Sequence, residues 1–205
     1  MPGTSSTRPS PLALTVLLML GAGPIHPYEM QRRIKLFGKD QVVNVGQRAN
    51  LYKTIDRLHD AGLIAVRHTE RDQRFPERTV YELTDEGMRT AQQWLADMLS
   101  TPRNEFPWFP AALSFVFALP PDQALAVLQR RADGLREKLS ELDRGLAGEL
   151  YPLPPRLFLL EVEYVRAVTA AELDWVEGIL NDLRTGALAW SREELMETAK
   201  AFLAQ

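Results

Sequence analysis

Between Gln31 and Arg57 the chain carries seven cations (Arg32, Arg33, Lys35, Lys39, Arg48, Lys53 and Arg57) against two acids, Asp40 and Asp56. Donors at that density can neutralise phosphates. Within the stretch Leu51, Ile55 and Leu58 recur at steps of four and three, which makes one apolar stripe if the segment is helical. At 100° per residue Lys53 then lies nearly opposite the stripe, with Arg57, Asn50 and Ala49 beside it and Tyr52 on one flank. A cation for guanine or phosphate, an amide for adenine and a phenol for phosphate are the groups that read a major groove. Asn50, Tyr52, Lys53 and Arg57, with Arg48 at the start of the same segment, are therefore candidate contacts to double-stranded DNA. On an isolated helix this pattern would read as a solvated amphipathic face. Basic segments on both sides of it favour the groove.

A second group of cations follows: Arg67, His68, Arg71, Arg74 and Arg78, diluted by Glu70, Asp72 and Glu77. A hairpin there could place arginines against phosphates or in a narrow minor groove, where the negative potential is enhanced. Arg74, near the tip, and Arg78 are the candidates. Other chemistries find no support. There is no cysteine, and His26, His59 and His68 have no spacing that suits a metal. Phosphate-binding glycine loops, dinucleotide turns and nucleophile elbows are missing from the sequence, so it offers no catalytic residue and no cofactor motif. The expectation is a protein that is not an enzyme and needs neither metal nor cofactor.

The elements that must position these donors can be read in order. Residues 1–11 are rich in Pro, Gly, Ser and Thr and read as a disordered tail. Leu12–Leu20 is a first helix closed by Gly21 and Gly23-Pro24. Pro27 opens a second, whose Met30, Ile34 and Phe37 face one way before Gly38. Asn44, with Gln47 three residues on, is the expected N-cap of the third, which ends at Ala61-Gly62. Leu63–Thr69 and Thr79–Leu83 read as strands flanking a long polar tip, Glu70–Arg78, and Thr84 caps a fourth helix through Ala91, Trp94, Leu95 and Met98. Three helices, a two-stranded ribbon and another helix over residues 12–100 is the order of a winged helix-turn-helix.

Prolines between Thr101 and Pro110 suggest a connector over 101–118, and residues 119–205 read as a helical dimerisation domain. Leu125, Leu128, Ala132, Leu135, Leu139, Leu142 and Leu146 keep a heptad. After a turn at Tyr151–Pro155, a second stripe runs through Phe158, Val162, Val165, Val176, Ile179 and Leu183, interrupted at Thr169 and Glu172. Two long helices cannot cover both apolar faces alone, so a second copy of the chain is the expected partner. The formal net charge of −3 is unevenly divided: residues 1–98 hold 13 Lys/Arg against 11 Asp/Glu, residues 99–205 hold 11 against 16. Only the first half suits a phosphate partner. Aromatics gather near the junction, where Trp94, Phe106, Trp108 and Phe109 could stack a small aromatic effector or simply pack an interface. The apolar run Leu12–Leu20 is read as part of the domain, not as a secretory leader or membrane span, and the expected compartment is the cytoplasm.

Four pieces in order resemble the PadR family of bacterial regulators. Leu12-Ala13-Leu14 through Gly23-Pro24-Ile25-His26-Pro27-Tyr28-Glu29-Met30 is similar to the family's opening. Leu51-Tyr52-Lys53-Thr54-Ile55-Asp56-Arg57-Leu58 and Asp60-Ala61-Gly62-Leu63-Ile64 resemble its recognition helix and the exit from it. Tyr81-Glu82-Leu83-Thr84-Asp85-Glu86-Gly87 resembles its passage from wing to next helix, and Pro155–Tyr164 the long helices of members with an extended C-terminal domain. The resemblance implies a mainly α fold (α+β with a small two-stranded wing) and a homodimeric repressor that leaves its operator, an inverted repeat, when a small molecule such as a phenolic acid or hydrophobic drug binds. It also implies that Tyr28 and Tyr52 touch DNA phosphates. Two positions depart from the family pattern: Pro27 stands for the usual glycine, and Ala49-Asn50 for a common Gly-Thr. A winged-helix adaptor that contacts protein is the alternative, since Asp56 and Asp60 on the outward face would repel phosphate.

Overall fold

A computed structural model describes residues 8–46, 48–72, 75–149 and 154–203. The chain forms two compact units, Met1–Asn104 and Glu105–Gln205.

In the first unit, helix α1 (Pro11–Gly21) is the central rod. Ser10 caps it by accepting the Ala13 N–H at 3.2 Å, and Pro11 sits in the first turn, where no donor is needed. Ala13, Val16, Leu17 and Leu20 are buried along it. Against it pack α3 (Arg48–Asp60) and α4 (Asp85–Ser100), while α2 (Pro27–Leu36) packs on α3. The core joins these side chains to Met30, Ile34, Leu51, Ile55, Leu58, Leu63, Ile64 and Ala91. Helix α3 ends in a Schellman arrangement: Gly62, at φ +70°, donates to the His59 carbonyl at 2.8 Å and Leu63 donates to that of Leu58 at 3.0 Å.

Strands β1 (Ile64–Asp72) and β2 (Phe75–Leu83) pair antiparallel, with Ile64 opposite Leu83 and Asp72 opposite Phe75. The ribbon is longer than the sequence suggested, because residues 70–72 and 75–78 continue the ladder instead of forming an open tip. Irregularities between Val66 and His68 and between Glu70 and Asp72 bend it. Ile25 and Tyr81 exchange backbone hydrogen bonds of 3.1 and 3.2 Å, tying the α1–α2 loop to the base of the wing.

The second unit is a hairpin of two 26-residue helices, α6 (Pro121–Leu146) and α7 (Leu160–Thr185), each about 39 Å long. Leu128, Ala132, Val176 and Leu180 form its buried centre, flanked by Leu125, Leu135, Ile179 and Leu183. Cross-helix pairs repeat every seven residues of α6: Gln129 with Arg184, Arg136 with Glu177, Asp143 with Arg166. The two polar interruptions of the second stripe have roles. Thr169 is buried and donates to the Val165 carbonyl at 2.7 Å, and Glu172 takes the guanidinium of Arg131. Phe158, expected in that stripe, lies instead in a short 3-10 turn (Arg156–Phe158) and is 62% exposed.

Helix also appears where prolines had suggested only a connector, as α5 (Trp108–Leu113) and a 3-10 turn at Val116–Ala118. Pro107 flanks α5 at its N-cap, and Pro110 lies in its first turn, where a helix needs no backbone donor, so neither proline breaks it. A last helix, α8 (Arg192–Leu203), starts with a reciprocal capping box in which Ser191 and Glu194 bond each other's backbone N–H at 3.1 and 2.9 Å. Among the described residues no helix is long and apolar enough to cross a membrane.

Candidate nucleic-acid interface

Helix α3 divides its residues as its pattern requires. Leu51, Thr54, Ile55 and Leu58 are buried, and Arg48, Ala49, Asn50, Tyr52, Lys53, Asp56 and Arg57 are exposed. Thr54 hides its hydroxyl by donating to the Asn50 carbonyl at 2.8 Å. Lys53, Asn50 and Arg57 therefore share one wet face, as the spacing predicts. Asp56 and Asp60 are exposed on the same helix.

The start of α3 differs from expectation. It begins at Arg48, and Asn44 does not cap it; the Asn44 Oδ1 accepts from the Gly46 N–H at 3.2 Å, a local turn before the helix. What holds this turn is Gln31. Its side chain is buried on α2 and its Nε2 donates to the Val45 carbonyl at 3.1 Å. The bond ties the loop before α3 to the buried face of α2. Sequence reading missed Gln31, since an amide on a helix announces nothing about the loop it will reach.

Helix α2 delivers Tyr28. Pro27 occupies the first helical position, and the His26 Nδ1 accepts the Glu29 N–H at 3.1 Å as N-cap. A proline is compatible there, which accounts for its standing where glycine is usual. Tyr28 is 53% exposed, stacks on His26 with ring centroids 6.2 Å apart, and has the Arg48 guanidinium 5.8 Å from its ring centre. The first turns of α2 and α3 thus meet, and Tyr28 and Arg48 form one polar edge beside the outward face of α3.

Two of the three cations on α2 are engaged within the helix itself. Glu29 binds Arg32 through two contacts of 2.7 and 3.0 Å and Arg33 through one of 3.0 Å. Those hydrogen bonds lower the Glu29 carboxyl from 4.5 to about 2, Arg32 contributing most. Spacings of three and four made these pairs legible in the sequence.

On the wing side, Arg67 pairs loosely with Glu82 at 3.7 Å. Arg78 stands opposite Glu70 in the ladder, its side chain outside the described set, and Arg74 lies outside the described residues. Tyr81, at the wing base, meets His59 of α3 edge-on with centroids 6.2 Å apart. Burial, then Asp56 and Tyr52, push its phenol up, so it stays protonated.

The aromatic residues near the junction have separate surroundings. Trp94 packs on the core of the first unit. Phe106 has φ +49° and is exposed; Trp108 is 93% exposed. Phe109 lies under the Arg131 guanidinium, 3.5 Å from the ring centre, and meets Trp175 edge-on.

With this geometry established, comparison with known proteins is specific. Residues 16–93, from within α1 to within α4, match the model of the transcriptional regulator PadR-like family. That segment carries a winged-helix domain similar to those of PadR-like transcriptional regulators. Among solved structures, PadR of Bacillus subtilis in complex with operator DNA superposes with a TM-score of 0.69 at 21% identity, covering 84% of this chain and 98% of that one. The same protein in complex with p-coumaric acid gives 0.68 at 20% identity over the same shares. A PadR-like transcriptional regulator of Bacillus cereus gives 0.58 at 16% identity, covering 87% and 99%. Among curated proteins no relative matches. The PadR likeness thus extends in fold beyond the winged helix into the second unit.

Proposed function

We propose that this chain is a PadR-family regulator, a sequence-specific, ligand-responsive repressor that binds an inverted-repeat operator as a homodimer. The observation that carries the reading is the exposed face of Asn50, Lys53 and Arg57 on a helix whose opposite side is fixed in the core. Arg48, Tyr52 and Tyr28 supply phosphate contacts around it, and Arg74 and Arg78 extend them along the wing. This is the apparatus of major-groove reading with flanking backbone contacts.

The division of labour follows the two units: the first reads DNA and the second dimerises. A second stripe on α7, Leu160, Tyr164, Val168 and Trp175, remains exposed after the hairpin has formed, and a twin chain would cover it. A two-fold dimer sets its reading helices roughly 34–36 Å apart, one turn of DNA. The ligand is a planar aromatic acid of the kind found with the Bacillus subtilis relative. Phe106, Trp108 and Phe109 of the second unit are the rings proposed to stack on it, while Trp94 packs on the core of the first unit.

Titration of a labelled genomic operator at several salt concentrations tests the reading. Affinity should fall steeply as salt rises, and Lys53→Ala should weaken it about 5- to 100-fold, the scale of one lost base or phosphate contact. Affinity indifferent to salt, or a Lys53→Ala chain that binds like the parent, would refute DNA reading. Retention of a protein partner at high salt would then indicate an adaptor.

A further inference from the structure

Glu29 is exposed enough to meet solvent, yet both of its oxygens are engaged by arginines. Arg32 presents Nε and Nη2 to the two oxygens in the fork geometry, and Arg33 adds its Nε to one of them. A guanidinium forks onto a phosphate in the same way, so an arginine held like this is not available to DNA until the carboxylate lets it go. The location gives the arrangement consequence. Arg32 lies one turn beyond Tyr28 on α2 and Lys35 three residues further, so all three share one flank of the helix. Arg48 stands at the head of that flank, against the Tyr28 ring.

We propose that Glu29 is an internal phosphate mimic: it occupies the guanidinium groups of Arg32 and Arg33 and so limits how strongly the domain grips the phosphodiester backbone of any DNA sequence. A regulator needs such a limit, because each added backbone contact strengthens binding to operator and non-operator DNA alike and carries no sequence information. A helix-capping role alone would explain an acid in the first turn of α2, but not why two arginines three and four residues later are drawn onto it. The inference rests on the DNA-binding reading above, and the experiment separates the two.

Binding to a labelled duplex of random sequence is measured from low to moderate salt for the parent, Glu29→Gln, Lys53→Ala and the triple variant Glu29→Gln/Arg32→Gln/Arg33→Gln. Glutamine keeps the length of the side chain and removes its charge. Freeing one or both arginines should steepen the slope of log affinity against log salt by about 0.9 per new phosphate contact, hence about 0.9–1.8 in total. Affinity at low salt should rise, and the triple variant should return to the parent's slope or below it. A Glu29→Gln slope equal to or shallower than the parent's, or a triple variant as steep as Glu29→Gln, overturns the inference. Should Glu29→Gln fail to fold, Glu29→Asp, one methylene shorter and unable to hold both arginines equally, should give an intermediate slope; a slope equal to the parent's counts against the mimic. A parent without salt-dependent binding, matched by Lys53→Ala, overturns the DNA-binding reading and this inference with it. Lys53→Ala weakened beside an unchanged Glu29→Gln overturns the inference alone.

Discussion

Replacing Gly87 by alanine is expected to destabilise the winged helix, although glycine to alanine within a helix ordinarily stabilises by up to about 1 kcal/mol. Gly87 lies in the first turn of α4, and a Cβ there would stand 1.9 Å from the Leu63 carbonyl oxygen and 2.8 Å from the Leu83 Cδ1. That carbonyl is backbone and already engaged. It accepts the Thr84 N–H at 3.2 Å and the Thr84 hydroxyl at 2.9 Å, while the same hydroxyl oxygen accepts the Gly87 N–H at 3.0 Å. Restoring ordinary contact at 3.4 Å requires an opening of about 1.5 Å, enough to part these bonds. Each is worth about 1 kcal/mol net, and overpacking costs about 1–3 kcal/mol. After subtracting the helix-propensity gain, the loss is about 2–4 kcal/mol, or about 5–15 °C in the melting temperature of a chain of this size. Circular dichroism melts of Gly87→Ala and Gly134→Ala make the comparison. Gly134 lies within α6 with nothing inside 4 Å of its added Cβ, so that variant should equal or exceed the parent. A Gly87→Ala chain as stable as the parent would refute the claim that the Thr84–Gly87 turn is wedged against Leu63.

Two further outcomes are expected. Gln31→Met, which keeps the volume and removes the donor to Val45, should cost about 1–2 kcal/mol and speed amide exchange in the first turn of α3. Operator affinity should fall with no change in salt slope, since no phosphate contact is lost; unchanged exchange would show that the loop is held otherwise. For Glu29, the folded carboxyl titrates at about 2 against an ordinary 4.5. A lowered folded value means that its stabilisation is complete above pH 4.5 and fades as pH falls through 2. An NMR titration of the Glu29 side chain should have its midpoint near 2, and a midpoint near 4.5 would show that the arginines do not hold it.

The sequence by itself determined the order of elements in the winged helix and the two long helices of the second unit, though not α5 or α8, because periodicity, caps and turn residues act over a few neighbours. Leu51, Ile55 and Leu58 fixed the dry side of α3 and so the wet side with Lys53, Asn50 and Arg57. Thr84 marked the start of α4, and Gly62 the end of α3. The heptad of α6 was equally plain, since helix geometry converts spacing directly into a face. The ion pairs of Glu29 were within reach of the same rule. Tertiary structure decided whatever depends on which distant groups meet. Asn44 looked like a helix cap, yet the Gln31 amide pins the Val45 carbonyl fourteen residues away, and α3 starts only after the turn. The wing extends past its apolar strands because a ladder once begun continues through polar residues whose backbones can pair. Thr169 and Glu172 seemed to interrupt a stripe. Only the antiparallel packing of α7 on α6 supplies the Arg131 partner that gives Glu172 its place, and no local pattern encodes a contact between residues 41 positions apart.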